Sequence, residues 1–275
     1  MFSGILGSVP ALSVAILLLV NTHAVAQSQE FTFEQGVTGY TGFDDTTIFS
    51  ESENAGGGTP GIFSGTIQNL DFDGNKQHRR ALLRADISTI PSNWIVENVS
   101  LTFTVQSSGG NFGNIDYTLH RVTDSWGEGS AIGPSGGGFG DTAQTGDATW
   151  LSRHHNSALW AVTGGDFVVS LSAVAAAGTA GTVATWTSQG MINDVQQWVS
   201  SPASNQGWII ISTIEGTRQR VKKFYSSEST NSRPFLQIVA RPPAVSTPTV
   251  RPGLWFVLIF VIGLLAIKRK TIQNR

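Results

Sequence analysis

Short stretches in which apolar and polar residues alternate recur along this chain, and they constrain its fold more than any other feature. Across 94–105 the alternation places Val99, Leu101, Phe103 and Val105 on one face. Successive side chains of a strand point to opposite faces of a sheet, so this segment is predicted to be a β-strand with one buried face. Further strands, separated by Gly, Pro, Asn, Asp and Ser, are predicted at 46–49, 81–87, 115–122, 167–171, 208–213, 221–225 and 235–239.

Helical spacing appears in one segment of this region, 191–199. There Met191, Val195, Trp198 and Val199 lie on one side of a helix. Many short strands without repeated intervening helices predict an all-β fold, an antiparallel β-sandwich of the jelly-roll kind with one short helix. The chain contains no cysteine, which excludes disulfide bonds, thiolate zinc sites and a cysteine nucleophile.

The amino-terminal segment has the pattern of a secretory signal peptide over 1–26. Residues 11–20 are mostly apolar, and the small residues Ala24 and Ala26 frame a cleavage site of the A-x-A type. No Lys or Arg precedes the apolar stretch, and a buried apolar helix is the alternative. Export would place the following domain in a compartment where small domains often use disulfides. Without cysteine, such a domain depends on its core.

The carboxyl-terminal segment 253–267 is uncharged and apolar and is followed directly by a basic tail, 268–275. As a helix it would span about 22 Å, against about 30 Å for the hydrocarbon core of a bilayer. Trp255 and the basic tail would anchor it at the two boundaries, with the tail cytoplasmic. We therefore predict a transmembrane or sorting helix behind a Pro/Thr/Ser spacer, 242–252. A buried core helix is the alternative.

This order of signal peptide, exported domain, spacer, apolar helix and basic cluster resembles the C-terminal sorting signals of bacterial surface proteins, such as the PEP-CTERM class. In that class a membrane-embedded sortase-like enzyme processes the tail. The spacer here lacks the Pro-Glu-Pro triplet of the class. The resemblance implies export to the cell envelope or cell surface, with the membrane as a partner through the C-terminal segment.

The region between the two ends, 27–241, resembles the DNRLRE domain, a β-sandwich related to family 96 carbohydrate-binding modules. The matching segments are DTTI at 45–48, RALLRADISTIP at 80–91, LHRVTDSWGEG at 119–129, GDATW at 146–150, DVQQW at 194–198, NQGW at 205–208, FYSSE at 224–228 and RPFL at 233–236. Ala85 stands where the family usually has Phe, so another side chain must fill the core there. The resemblance implies a jelly-roll-like sandwich with a non-catalytic binding role.

The charge of 27–241 limits its partners. The region contains 12 of the 17 cationic residues and all 19 acidic residues, so its formal net charge is −7 rather than the −2 of the whole chain. An acidic body gives no reason to expect nucleic-acid binding and weakens long-range attraction to any anionic polymer. A local cluster of cations therefore stands out against the negative charge of the region.

That cluster lies at 218–223, RQRVKK. On a strand, Arg218, Arg220 and Lys222 would share one face while Val221 points toward the core. Three aligned cations would pair with carboxylates or sulfates of an anionic polysaccharide. The alternative is a solvated strand whose charges protect a sheet edge. A further pair of cations, Arg80 and Arg84, shares a face of its own strand.

Two further candidates concern ring stacking and metal binding. Trp160, in a polar loop outside the strongest core patterns, is predicted to stack on a sugar ring, with a core or loop anchor as the alternative. The segment DFDGN offers Asp71, Asp73 and Asn75 as ligands of a structural Ca²⁺, but Lys76 and Leu82 replace the residues that an EF-hand requires. A turn before the next strand is the alternative there.

The leading hypothesis is a non-catalytic, surface-displayed domain that binds an extracellular or envelope polysaccharide of anionic character. One alternative is a polysaccharide lyase or glycoside hydrolase, for which Asp124 and Glu128 are the least implausible acids. A hydrolase needs two carboxylates about 5 to 9.5 Å apart across a cleft, and the sequence places no such pair. Another alternative is a matrix or adhesion protein that binds another protein.

Overall fold

The computed structural model describes residues 27–110, 112–134 and 136–244. The predicted signal peptide 1–26, the apolar segment 253–267 and the basic tail 268–275 lie outside these residues, as does most of the spacer 242–252. Within the described part of the chain, no helix has both the length and the apolar character needed to cross a membrane.

The described residues form short antiparallel strands, one α-helix and one 3-10 turn. The elements are β1 (Gln29–Glu34), β2 (Phe43–Phe49), β3 (Asn54–Ala55), β4 (Ile62–Leu70), β5 (Lys76–Ala85), β6 (Ile95–Ser108), β7 (Ile115–Arg121), β8 (Asp141–Thr142), β9 (Ser152–His154), β10 (Ala158–Leu159), β11 (Ala173–Ala177), β12 (Val183–Trp186), α1 (Gln189–Ser200), a 3-10 turn (Pro202–Ser204), β13 (Trp208–Ser212), β14 (Lys222–Phe224) and β15 (Phe235–Arg241). The all-β expectation with one short helix is confirmed.

The long strands follow one continuous path of antiparallel pairs, in the order β1-β15-β6-β14-β4-β5-β13-β7-β11. Strand β12 pairs with β6, and β2 pairs with β5. Side chains from both halves of this path share one core: the rings of Phe43 on β2 and Phe103 on β6 are 6.4 Å apart and edge-to-face. The arrangement is therefore sandwich-like, with β14 and β4 connecting the two halves.

Strand β6 follows its alternating pattern closely. Its residues Val99, Leu101, Phe103 and Val105 are all fully buried, whereas the polar residues between them are partly exposed. Across the sandwich, Phe43 is buried in register with Ala85, the position where the DNRLRE domain usually has Phe. The predicted strand and its buried face are confirmed, because period-two burial requires this alternation.

Helix α1 covers one end of the core. Its amino terminus is capped by Ser188, whose hydroxyl accepts a hydrogen bond from the Met191 amide at 3.1 Å. The predicted apolar side, Met191, Val195, Trp198 and Val199, is buried. Trp198 packs against Trp208 of β13, with the ring centroids 4.5 Å apart. The helical prediction is confirmed, and the observed helix is longer by a few residues.

A long connection, 122–172, lies over the outer face of β2, β5 and β13. A second apolar cluster forms there from Ile48, Leu82, Val122, Trp126, Ala148, Trp160 and Ile209. The strand predicted at 167–171 is wrong, since this segment makes only a single bridge, Val122 to Phe167. Just before this segment, the Asp166 carboxylate accepts hydrogen bonds from the amides of Ala161 and Val162 and forms a local turn.

Candidate functional site

Three acidic side chains from distant parts of the chain meet beside strand β2. Asp45 lies on β2, Glu128 in the connection after β7, and Glu228 in the turn between β14 and β15. One carboxylate oxygen from each lies within 4.8 Å of the others. Asp45 is fully buried, and the other two are partly buried. We call Asp45, Glu128 and Glu228 the acidic trio.

Backbone and hydroxyl donors hold the acidic trio in place. The Asp45 amide donates to Glu128 Oε1 at 2.7 Å, and the Ser227 amide donates to Asp45 Oδ2 at 2.8 Å. The Ser227 hydroxyl donates to Glu228 Oε1 at 2.6 Å. Two further oxygens, Asp45 Oδ1 and Glu228 Oε2, are buried without a hydrogen-bond partner among the described residues. Buried polar atoms normally have partners, so these two require an explanation.

The electrostatics of the acidic trio follow from its burial. Burial raises the pKa of Glu128 to about 8, and the neighbouring carboxylates add to this effect. Burial also raises the pKa of Asp45 well above its usual range, and the nearby charge of Glu228 raises it further. Within the described chain, none of the three acids forms a salt bridge. Among the described residues, no cationic side chain therefore forms an ion pair with the trio.

The predicted row of cations does not form. Strand β14 begins only at Lys222, and Arg218 lies in the preceding turn, where Gln219 adopts a left-handed backbone with φ of 61°. Arg218 is exposed and donates from Nε to the Gln68 carbonyl at 2.7 Å. The Arg220 guanidinium lies 3.1 Å from the centroid of the Phe112 ring. The prediction that the three cations share one strand face is wrong, because a residue with a left-handed backbone interrupts a strand.

Lys222 points in the opposite direction from the prediction. It is fully buried, whereas Val221 is only partly buried. Its ammonium donates to Ser108 Oγ at 2.9 Å, to the Phe112 carbonyl at 3.0 Å and to the Gly113 carbonyl at 3.1 Å. Three oxygen acceptors satisfy its three N–H groups, so this cation belongs to the interior and not to a ligand surface.

Arg80 and Arg84 do share a face of β5, as predicted, but both are already paired. Arg80 forms a bidentate ion pair with Glu215, from Nε to Oε1 at 2.9 Å and from Nη2 to Oε2 at 2.7 Å, and lies over the Trp150 ring. Arg84 pairs with Asp44 at 2.5 Å and lies 5.1 Å from the centroid of Trp126. Both guanidinium groups therefore cover the second apolar cluster.

Trp160 is not an exposed stacking platform. It is 5% exposed, and its Nε1 donates to the Thr149 carbonyl at 2.9 Å inside the second apolar cluster. The prediction of an exposed ring is wrong because the connection 122–172 folds back over the sheet and buries it. The alternative, a core or loop anchor, is the one observed.

The residues Asp71, Asp73 and Asn75 form the tip of the β4–β5 hairpin. Asp71 Oδ1 accepts from the amides of Asp73 and Asn75 at 3.0 and 2.6 Å, and Oδ2 accepts from the Asn75 side chain at 3.0 Å. These bonds, first of all those from Asn75, lower the pKa of the Asp71 carboxyl. The turn interpretation is confirmed, and the Asp71 oxygens that a Ca²⁺ would need already serve the turn.

Two surface depressions share the lining residues Gly42 and Asp86. One depression of about 460 Å³ is lined by residues that include Asp44, Arg84, Asn205 and Gln206. A second depression of about 520 Å³ is lined by residues that include Phe31, Thr38, Tyr40, Thr41 and Thr89. Both depressions include Gly42 and Asp86, so they adjoin. We call the combined depression the Asp86 groove.

Sequence reasoning missed the acidic trio as a unit. Each member lies in a segment that carries the DNRLRE resemblance: Asp45 in DTTI, Glu128 in SWGEG and Glu228 in FYSSE. The shared signal was an acid in three separate matching segments, but no spacing rule connects residues so far apart. Only the folded chain brings them together, through contacts of two loops with strand β2. No protein-family model matches this chain, and no curated protein is significantly similar to it.

Proposed function

We propose that this protein is a non-catalytic carbohydrate-binding domain that binds a polysaccharide through the Asp86 groove. The observation that carries this proposal is the groove itself, an open surface depression with carboxylate, guanidinium, amide and hydroxyl groups beside aromatic side chains. Sugar hydroxyls need donors and acceptors at fixed positions, and the apolar faces of sugar rings pack against aromatic side chains. We also propose that the domain has the jelly-roll connectivity that the DNRLRE resemblance implies.

The charge of the groove favours a neutral polysaccharide. Arg84 is neutralised by Asp44 at 2.5 Å, and Asp86 adds a further negative charge on the exposed rim. The expectation of an anionic polysaccharide depended on the aligned cations at 218–222, and that alignment does not exist. An anionic polymer would also be repelled by the net charge of −7 on the domain.

The test compares binding and cleavage with the full chain in non-ionic detergent. The chain is run in affinity gels that contain a neutral β-glucan, a galactomannan, alginate, pectin or a sulfated glycan, and the same polymers are assayed for released products. Retardation by a neutral polymer without product release supports the proposal. Product release would instead make the protein a lyase or hydrolase. Absence of both binding and cleavage would favour the adhesion alternative and contradict the proposal.

A pair of variants tests whether the Asp86 groove is the binding surface. Thr89 is exposed in the groove and makes no side-chain hydrogen bond among the described residues, so Thr89→Trp fills the depression at little structural cost. We expect at least a tenfold loss of affinity with an unchanged melting temperature. Thr217→Trp, at an exposed position outside the groove, is the matched control and should bind normally. Equal binding by both variants would remove the groove from the proposal.

We also propose that the chain is exported and held at the cell envelope. The support is the sequence pattern of 1–26, the apolar segment 253–267 and the three consecutive cations that follow it. Alkaline extraction of membranes tests the anchor, and the mass of the mature protein tests processing of the tail by a sortase-like enzyme. Full release of the chain by alkaline carbonate would contradict membrane anchoring, and an uncut amino terminus would contradict the signal peptide.

A further inference from the structure

The acidic trio is costly for a folded protein unless something compensates its charge. Three carboxylates have oxygens within 4.8 Å of one another, and Asp45 is completely removed from solvent. Burying one unpaired carboxylate costs several kcal/mol, and like charges at this separation add to that cost. Arg84, a cation whose charge acts on Glu128, is already paired with Asp44. Compensation must therefore come from protons or from a bound cation.

The hydrogen bonds around the acidic trio partly offset the cost of burying its charged form. The Asp45 amide, the Ser227 amide and the Ser227 hydroxyl each donate to one of the three acids. Donors directed at carboxylate oxygens stabilise the charged form. The oxygens Asp45 Oδ1 and Glu228 Oε2 are buried and have no partner among the described residues. A bound cation would supply the partner that both oxygens lack.

We propose that the acidic trio binds one Ca²⁺, with Asp45, Glu128 and Glu228 as ligands. All three ligands are oxygens, the donors that hard cations prefer. Two oxygens on opposite sides of one Ca²⁺ lie about 4.6 to 5.2 Å apart, so three oxygens within 4.8 Å fit inside a single coordination sphere. Mg²⁺ is smaller and keeps several waters, which a buried site of protein oxygens disfavours.

The position of the site gives the ion a structural task. Asp45 is on β2, Glu128 lies within the connection 122–172 that contributes to the second apolar cluster, and Glu228 lies in the turn before β15. One ion would join these three segments, which are far apart in sequence. This site is distinct from the hairpin tip at Asp71, and the inference does not depend on glycan binding.

The experiment uses the full chain in non-ionic detergent, stripped with EGTA and dialysed into metal-free buffer. Calcium content is measured after equilibrium dialysis against Ca²⁺, and thermal unfolding is followed with Ca²⁺, with Mg²⁺ and with EGTA. We expect one Ca²⁺ per chain and, at a hundredfold excess over Kd, a rise in melting temperature of about 5 to 10 °C. An equal concentration of Mg²⁺ should produce a smaller rise.

Two Glu→Gln variants separate a cation site from a merely structural acid. Glu228→Gln keeps the shape of the side chain and the Ser227 hydrogen bond but removes a charge. It should lose the Ca²⁺-dependent rise and, in EGTA, melt at or above the wild-type temperature, because repulsion within the trio falls. Glu30→Gln, on the exposed strand β1, should keep the full Ca²⁺ response.

Several outcomes would overturn the proposal. They are absence of bound Ca²⁺ in the wild-type chain, a full Ca²⁺ response in Glu228→Gln, and an equal response to Mg²⁺. Loss of the response in Asp71→Asn, with retention in Glu228→Gln, would move the site to the hairpin tip and equally overturn it. Because these readouts are metal content and melting temperature, failure of glycan binding leaves them unaffected.

Discussion

Substitution of Lys222 tests the most direct consequence of the fold for the predicted ligand surface. The ammonium is fully buried and donates to one hydroxyl and two carbonyls, at 2.9, 3.0 and 3.1 Å. Burial lowers the pKa of this ammonium from its usual range. Lys222→Met keeps most of the aliphatic stem but leaves all three acceptors without their donor.

The size of the effect follows from these three bonds. Hydrogen bonds to a charged group are worth about 1.5 to 3 kcal/mol each, and the desolvation of the buried ammonium offsets much of their sum. Leaving three acceptors unpaired makes the net loss about 2 to 4 kcal/mol. In a domain of about 200 residues, each kcal/mol lowers the melting temperature by about 2 to 4 °C. We therefore expect Lys222→Met to melt about 5 to 15 °C lower.

The neighbouring cation provides the matched control. Lys223 is only partly buried and makes one hydrogen bond, to the Gly136 carbonyl at 2.7 Å. Lys223→Met should therefore change the melting temperature by less than about 4 °C. The assay is tryptophan fluorescence during heating of the full chain, combined with polysaccharide binding at 20 °C. A Lys222→Met protein as stable as wild type, or one of normal stability that has lost polysaccharide binding, would refute the reasoning.

Two further predictions concern the second apolar cluster and the close backbone contact at Gly65. Trp160→Phe removes the hydrogen bond from Nε1 to the Thr149 carbonyl, so the free energy of unfolding in urea should fall by about 1 to 3 kcal/mol while polysaccharide binding is unchanged. Weaker binding at unchanged stability would instead identify Trp160 as a ligand contact. Gly65→Ala should lower the free energy of unfolding by more than about 2 kcal/mol, since φ is 119° and a Cβ would lie 2.1 Å from the Arg220 carbonyl oxygen. Gly74→Ala, where φ is 80° and the space is open, should cost about 1 kcal/mol in the same urea unfolding measurement. Equal costs for the two variants would contradict the steric argument.

The elements predicted most accurately are those in which a local pattern and the final environment agree. Strand β6 and helix α1 each place their apolar residues at the spacing of the element, so burial of one face settles both conformation and orientation. The segment 167–171 also has a high apolar content, but among the described residues it pairs only through the Phe167–Val122 bridge, and Val169 and Leu171 remain exposed. Local pattern predicts a strand only where another strand is available to pair with it.

Side-chain environment was harder to predict than conformation. The sequence predicts surface positions for Lys222 and Trp160, because a cation and a polar loop are usually solvated. Both are buried, since carbonyl oxygens from 112–113 satisfy the lysine and the connection 122–172 covers the tryptophan. Partners for a buried polar group come from remote segments, and spacing along the chain carries no information about them.

The sequence by itself determined that this chain forms an all-β domain with one short helix, because periods of two and of 3.6 residues can be recognised locally. Only the tertiary structure decided which polar groups meet. Asp45 and Ser227 are 182 residues apart, yet the Ser227 amide donates to the Asp45 carboxylate. Antiparallel pairing connects strands without regard to their distance in sequence, so the acidic trio and the Asp86 groove exist only in the folded chain.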